Sequence, residues 1–414
     1  MLNIKYELAK ELKAKPDWNN LGFGKYFTDH MFIMDYDEGM GWHDARVVPY
    51  QNLSLDPACM VFHYAQEMFE GLKAYRTPDG TIQLFRPDKN IERMNQTNDR
   101  LCIPRLDPED VLDAIKALVA TEKDWVPALE GTSLYIRPFI IATDVQLGVH
   151  PSKSYKFMII VCPVGSYYAE GIKPVKIFVE REYVRAVKGG TGFAKVGGNY
   201  ACSLIGQQKA EKMGYSQVLW LDGVEHKYID EVGAMNVFFV IDGVVITPAL
   251  DEGNILPGVT RNSCIQILRK KGYKVEERKL SLDEVIEAYN NGKLDEAFGT
   301  GTAAVVSPMG VLDTGDLKMV INNNEIGKVA SDVYNALTGI QWGKLDDELG
   351  WTAPSLTNLG RLALIANGIF VCNSSLVIQL LTFLSCANSI IFHEVNASGT
   401  VYSNSTLPSA FVSN

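Results

Sequence analysis

The sequence predicts a mixed α/β (α+β) fold in two domains, and three observations carry that expectation. At 414 residues the chain exceeds what one ordinary core accommodates, so two domains with extra segments are expected. Runs rich in β-branched and aromatic residues recur along most of the chain, several joined by Asp-Gly or Pro-Asp-Gly turns. Helical patterns are scattered among them rather than alternating with single strands, which argues against a doubly wound sheet.

Taken in order, the stretch from Gly22 to Tyr36, G-F-G-K-Y-F-T-D-H-M-F-I-M-D-Y, is expected to be strand. Phe62 to Arg76 reads as a helical turn running into a strand, with Pro78, Asp79 and Gly80 turning a hairpin into I-Q-L-F-R. Arg93 falls within a polar helix. Asp107-Pro108 opens another helix, with Asp as cap, Pro in the first turn, and Val111, Ile115, Leu118 and Val119 on one face. The runs beginning at Leu134 and Phe157 are strands. A Gly and Pro connector starts near Tyr168, and beyond it lie a basic strand, a glycine-rich stretch and a helix from Asn199 to Met213. A strand, S-Q-V-L-W-L-D, and a hairpin turned by Asp242-Gly243 follow. The helix from Val259 stops at Gly272, and Ser281 with Glu284 makes a capping box for the next one.

The domain limits implied are 1–168 for a small N-terminal α/β domain, 169–181 for the connector and 182–352 for a larger C-terminal domain. From 353 to 414 the composition changes, with Arg361 and Glu394 as its only charges. Its apolar run is long enough to span a bilayer, but Asn, Ser and Gln punctuate it. An extension past a natural end near Trp351-Thr352 is the reading preferred over a membrane helix.

Composition narrows the function. The content is globular, 47% hydrophobic and 21% charged, and a net charge of −10 leaves no basic footprint for nucleic acid. Cys59, Cys102, Cys162, Cys202, Cys264, Cys372 and Cys386 form no C-x-x-C and no His pairing at metal-ligand spacing. They read as buried thiols in a reducing compartment, with no metal site expected. The N-terminus carries acids among its bases and no apolar core, unlike a signal or transit peptide, so the cytoplasm is the expected location.

The chemistry gathers around Gly189 to Tyr200, G-G-T-G-F-A-K-V-G-G-N-Y. A lone Lys195 stands between two glycine pairs, and such clusters mark positions needing φ > 0 or a close approach to the backbone. On its own the stretch reads as a surface lysine in a turn. Four further features would complete a pyridoxal phosphate site. Glu231, in D-E-V-G-A-M-N, is a carboxylate among small apolar neighbours, suited to keep a pyridine nitrogen protonated. Leu256 to Arg261, L-P-G-V-T-R, sets a glycine turn at a helix start that favours an anion, and Gly299 to Ala304, G-T-G-T-A-A, offers hydroxyls and amides. Tyr200 is placed to bond a phenolate. Lys195 is the candidate nucleophile and general base.

The order of these motifs resembles the class IV, or fold type IV, pyridoxal-phosphate aminotransferases. Within them the chain is similar to the branched-chain amino acid aminotransferases, over about residues 15–352. The class signature runs from Glu231 to Arg261. The subfamily rests on F-G-K-Y-F-T-D-H-M, H-Y-A-Q-E-M-F-E-G-L-K-A-Y, L-F-R-P-D-K-N-I-E-R-M, L-Y-I-R-P and K-V-G-G-N-Y.

The resemblance implies a two-domain, D-amino acid aminotransferase-like fold with the active site between the domains. It implies pyridoxal 5′-phosphate as cofactor, with Lys195 holding its aldehyde, Tyr200 on its ring oxygen and Glu231 on its nitrogen. Arg93, Val259, Thr260 and Thr302 would bind its phosphate. Phe23, Tyr64, Phe69, Tyr135 and Ala303 would line the substrate pocket, and Arg137 would help accept a glutamate side-chain carboxylate. Leu147 and Val149 would reach in from a second subunit, which implies a homodimer. The implied reaction exchanges the amino group of L-leucine, L-isoleucine or L-valine with 2-oxoglutarate. A D-amino acid aminotransferase and an aminodeoxychorismate lyase share the signature, but those families are shorter and lack the F-T-D-H-M segment. A membrane-tethered or non-catalytic pyridoxal phosphate protein is a further alternative, motivated by the tail. Ala304 and Ser307 stand where mammalian members carry a redox-sensitive C-x-x-C, so no such thiol switch is available.

Overall fold

The computed structural model describes residues 2–165 and 172–355. Residues 166–171, where the expected connector begins, and the chain beyond Ser355, with Cys372 and Cys386, lie outside the described residues. Through Ser355 the chain forms one compact unit containing two sheets.

The first sheet is mainly antiparallel. It uses β1 (Lys5–Tyr6), β2 (His30–Asp37), β3 (Gly41–Pro49), β4 (Glu67–Phe69), β5 (Leu72–Arg76), β6 (Ile82–Phe85), β7 (Ser133–Ala142) and β8 (Ser154–Val164). Three helices accompany it: α1 (Met60–Tyr64), α2 (Pro87–Arg100) and α3 (Pro108–Thr121). The second sheet uses β9 (Val175–Glu180), β10 (Gln217–Leu221), β11 (Ile229–Val232), β12 (Asn236–Ile241), β13 (Val244–Thr247), β14 (Val275–Glu277), β15 (Leu294–Gly301), β16 (Val305–Asp313) and β17 (Lys318–Val320). Its helices are α4 (Gly197–Ala201), α5 (Leu204–Lys212), α6 (Val259–Lys270), α7 (Leu282–Asn290) and α8 (Lys328–Gln341). The chain then returns as β18 (Thr352–Pro354) to pair antiparallel with β6 of the first sheet. In the second sheet β9 lies parallel to both β10 and β16, while β12, β15 and β16 run antiparallel.

Local chemistry explains many of these elements. The carboxylate of Asp107 accepts the amide of Glu109 at 2.8 Å and starts α3 ahead of Pro108. The helix buries Val111, Ile115, Leu118 and Val119 against the first sheet, as the spacing requires. Asp242 and Gly243 both take positive φ, 51° and 74°, which is the backbone a two-residue hairpin loop demands. A separate core gathers Phe238, Phe298, Val306, Leu268 and Val333 with Tyr75, Phe85 and Trp351, so strands of both sheets share it.

Several expectations are corrected. Strand begins at His30 rather than Gly22, because Gly22 and Gly24 hold left-handed φ of 63° and 69°. The helix expected from Asn199 to Met213 starts at Gly197 and breaks at Cys202 and Ser203 into α4 and α5. Only half of the capping box forms: Ser281 Oγ accepts the Glu284 amide at 3.1 Å, while the Glu284 carboxylate turns to Arg278. Cys102 and Cys202 are exposed, unlike Cys59, Cys162 and Cys264. The basic strand expected beyond the connector forms as β9 at Val175–Glu180, so strand already occupies most of the second half of the 169–181 limits. The limit set at Thr352 falls inside β18, because Pro354 pairs with Gln83 and the Ser355 amide donates to Ile82 O at 2.9 Å. No helix among the described residues is long and apolar enough to cross a membrane.

Candidate active site

Lys195 sits in the loop just ahead of α4 and is fixed through its backbone from the first-sheet side. Its N–H donates to Thr97 Oγ1 of α2 at 3.0 Å, and its carbonyl accepts the Phe69 amide at 3.1 Å. Asn199 ties the loop to itself, donating to Thr191 O at 2.8 Å and Ala194 O at 2.9 Å. The glycines have distinct uses. Gly189 holds φ at +80°, whereas a Cβ on Gly192 or Gly197 would collide with the Asn254 carbonyl or the Glu67 carboxylate. So held, the half-buried Lys195 Nζ donates to Tyr200 OH at 2.7 Å and lies 4.7 Å from the centroid of the Phe69 ring.

Glu231 lies in β11, all of whose residues are buried, and is itself only 3% exposed. Its Oε1 accepts the Leu256 amide at 2.8 Å and pairs with Arg185 Nη2 at 2.9 Å. Burial pushes the Glu231 carboxyl above its usual range, and the facing Arg185 works against that rise. The same Nη2 donates to Gly192 O at 3.0 Å and Asn254 O at 2.7 Å, so Arg185 links the acid to the lysine loop. Glu231, Arg185, Asn199, Tyr200 and Gly233 line one cavity.

The first turn of α6 has Gly258 as N-cap and no side-chain cap, which leaves its amides for another acceptor. Arg93, on α2 and 5% exposed, reaches this turn by donating from Nη1 to Pro257 O at 3.1 Å. Its other side is held by Glu70, with Nε to Oε1 at 2.8 Å and Nη2 to Oε2 at 2.9 Å. Burial disfavours both charges, yet their pairing prevails and holds the Glu70 carboxyl below its ordinary range. Val259 and Thr260 open the helix, and Thr302 lies between β15 and β16, its hydroxyl donating to Gly71 O at 3.3 Å. The turn ends at Val305 with φ 63°, a left-handed conformation that costs a β-branched residue about 1–3 kcal/mol.

Next to the lysine stands an aromatic group. Phe69 lies 4.9 Å from the Tyr200 ring, Phe23 lies edge-on to Tyr135 at 5.0 Å, and Arg137 stacks over Phe69 and Tyr135. Arg137 Nη2 donates to Tyr135 OH at 3.1 Å, while its Nε is buried and unpartnered. A Cβ on Gly71 would collide with the Tyr135 hydroxyl, so the glycine makes room for it. Ala303 approaches the same wall, its carbonyl accepting Lys73 Nζ at 3.1 Å. Tyr64 donates its hydroxyl to Leu147 O, and Leu147 and Val149 are 64% and 84% exposed.

Sequence reasoning did not assign Arg185, Glu70, Glu67, Thr97 or Lys73. Glu70 and Lys73 stand inside a motif that carries the resemblance, yet without a role, because only burial reveals that each needs a partner. For Arg185 the nearest signal was its position ten residues before Lys195.

The arrangement fits pyridoxal phosphate. A buried acid is available for a ring nitrogen, a tyrosine hydroxyl touches the amine of a lysine, and an uncapped helix start beside a buried arginine suits a phosphate. The family described as amino-transferase class IV matches residues 67–310. The chain is 61% identical over 349 residues to branched-chain-amino-acid aminotransferase 2 of Bacillus subtilis, covering 84% of this chain and 96% of that protein. It is 55% identical to branched-chain-amino-acid transaminase 1 of the same organism, covering 84% of this chain and 98% of that one. Among solved structures it is similar to the T.th. branched-chain amino acid aminotransferase complexed with N-(5′-phosphopyridoxyl)-L-glutamate. That likeness has 26% identity and a TM-score of 0.66, and covers 81% of this chain and 99% of that one. The chain belongs to the class IV aminotransferase family. Within that family its relatives at 55–61% identity are branched-chain-amino-acid aminotransferases.

Proposed function

We propose that this chain is a pyridoxal 5′-phosphate-dependent branched-chain-amino-acid aminotransferase, moving the amino group between L-leucine, L-isoleucine or L-valine and 2-oxoglutarate. The observation that carries the reading is the Lys195 amine, bonded to Tyr200 at 2.7 Å and packed beside Phe69, with Glu231 buried in the adjoining cavity.

Pyridoxal phosphate, when bound, supplies the electron sink for the pair released as the substrate α-carbon gives up its proton. Lys195 Nζ is the base that takes this proton from the substrate α-carbon and would deliver it to the bound cofactor, so that the α-carbon is left at the level of the oxo acid. Tyr200 OH orients Nζ, and the Phe69 ring beside it limits the access of water. Glu231 keeps a proton at the ring nitrogen position, backed by Arg185. Arg93, Val259, Thr260 and Thr302 hold the phosphate. Phe23, Phe69, Tyr135 and Ala303 form an apolar wall for a branched side chain, and Arg137 offers a cation for the distal carboxylate of 2-oxoglutarate. Its buried, unpartnered Nε supports that assignment.

The active form in this reading is a cytoplasmic homodimer. The exposure of Leu147 and Val149 beside Tyr64 supports it, since this apolar edge is available to a second copy. The test is a visible absorption spectrum of the purified holoenzyme with and without L-leucine, together with 2-oxoglutarate-dependent turnover. Cofactor absorbance that leucine leaves unchanged would refute the assignment.

A further inference from the structure

Asp230 is a buried carboxyl that the mechanism above does not use. It stands directly before Glu231 in β11, and each is 3% exposed. Successive strand residues leave opposite faces, and the two acids line separate cavities, Glu231 with Arg185 and Tyr200, Asp230 with Asp222 and Tyr228. What joins them is the loop between β13 and α6. Asn254 in that loop donates from Nδ2 to Asp230 Oδ1 at 2.8 Å. Its backbone carbonyl accepts Arg185 Nη2 at 2.7 Å, and the same Nη2 pairs with Glu231 Oε1 at 2.9 Å. Two residues on, the Leu256 amide donates to that Oε1 at 2.8 Å.

From Pro248 to Gly258 this loop joins no strand or helix, so near Asn254 its place is set by side-chain bonds. Asp230 holds it at Asn254, and Asn236 Nδ2 holds it at Leu256 O at 2.9 Å. The Lys195 loop rests on the same carbonyl, since a Cβ on Gly192 would collide with it. Burying a second carboxyl next to Glu231 is unfavourable: burial pushes the Asp230 carboxyl up to about 7, and Arg185 opposes the rise. Oδ1 accepts from Asn254 whether or not Oδ2 carries the proton. The hydrogen bond, and not the charge, is therefore the feature that the arrangement keeps.

We propose that Asp230 is a positioning residue for the acid at the cofactor ring: by holding the Asn254 side chain it sets the loop carbonyl and amide that place Arg185 and Glu231. The inference rests on the aminotransferase reading and deepens its assignment of Glu231. It gives Asp230 an effect on the chemical step and on cofactor affinity, and none on substrate binding.

The test is steady-state kinetics of the holoenzyme with L-leucine and 2-oxoglutarate, together with the dissociation constant of pyridoxal 5′-phosphate read from visible absorbance on dilution. Asp230→Ala lowers kcat about tenfold or more with both KM values within about threefold, and weakens cofactor binding about fivefold. Asp230→Asn, whose amide oxygen still accepts from Asn254, keeps kcat and cofactor affinity within about threefold of the parent. A merely structural role would lower the melting temperature of Asp230→Ala and leave kcat and cofactor affinity parental, which overturns the proposal. Asp230→Asn as impaired as Asp230→Ala overturns it too. In a Glu231→Gln background Asp230→Ala changes cofactor affinity by less than about twofold, because the route through Glu231 is already cut, and a loss of about fivefold there overturns the proposal. If Asp230→Ala is insoluble, Asn254→Ala decides, since it removes the same bond from the other end: an equal fall in kcat supports the proposal and parental kcat overturns it. A parent without leucine turnover defeats the aminotransferase reading, whereas an active parent matched by Asp230→Ala defeats this inference alone.

Discussion

Lys195 Nζ and Tyr200 OH are joined by a 2.7 Å hydrogen bond across a stretch of five residues whose backbone turns from loop into α4 between them. The tyrosine thus fixes where the amine points, and the loop bonds to Thr97 and Phe69 fix where it starts. Lys195→Ala is expected to abolish leucine turnover and leave a folded protein, since the backbone bonds survive the substitution. Turnover within about tenfold of the parent, a barrier change of only about 1.4 kcal/mol, would exclude Lys195 as the base.

Glu231→Gln is expected to cost both rate and stability. The amide cannot hold a proton on the ring nitrogen, and Arg185, 8% exposed, loses its anion. Turnover should fall by several powers of ten, each about 1.4 kcal/mol of barrier. Breaking a buried pair costs about 3–5 kcal/mol, enough to lower the melting temperature by several degrees. Unchanged kcat would mean that another group supports the ring nitrogen.

Asp222 receives four backbone amides, from Val224, Glu225, Lys227 and Tyr228, at 2.7–3.1 Å. Burial opposes its charge, but these donors prevail and pull its pKa from 3.8 down to about 2. A depressed carboxylate stabilises the fold above its unfolded pKa and ceases to do so as pH falls through the folded value. Asp222→Asn should therefore melt lower than the parent at pH 7, and the gap should narrow as pH falls from about 4 to 2. A gap that stays constant over that window would remove the charge from the explanation.

A chain ending at Ser355 is expected to keep the parental melting temperature and leucine activity, whereas one ending at Gly350 is not. The shorter form loses Trp351, which packs edge-on to Phe85 at 5.6 Å and lies under Arg86 at 4.8 Å, together with the β18 pairing. Calorimetry of the two chains checks this. Equal melting temperatures would show that β18 contributes nothing.

Leu147→Asp should disrupt the proposed homodimer, because it sets a charge on an edge 64% exposed in the single chain. Sedimentation should report monomer together with loss of turnover. A fully active dimer would exclude this edge from the interface.

What the sequence disclosed followed from how local each feature is. The Asp107 cap, the Asp242-Gly243 turn and the burial of Val111 and Leu118 depend on neighbours within a few positions, and all three stand as read. Lys195, Glu231 and the α6 start were legible because glycines and small apolar residues surround them. Their partners were not. Arg185 and Glu231 lie 46 positions apart and meet through the fold of the second sheet, whereas Lys73 and Ala303 lie 230 apart and meet only where the two sheets pack together. The break between α4 and α5 was missed because the glycines of α4 serve the Lys195 loop rather than a continuous helix.

The return of β18 to β6 has a consequence for how the protein is made. The outer edge of β6 emerges early in synthesis, but the strand that satisfies it comes some 270 residues later. Until then the first sheet carries an open edge, a template for pairing with a wrong neighbour. A ribosome-bound chain lacking its last strand is thus predisposed to aggregate, and the first sheet cannot finish folding on its own, although nearly all of it is synthesised first.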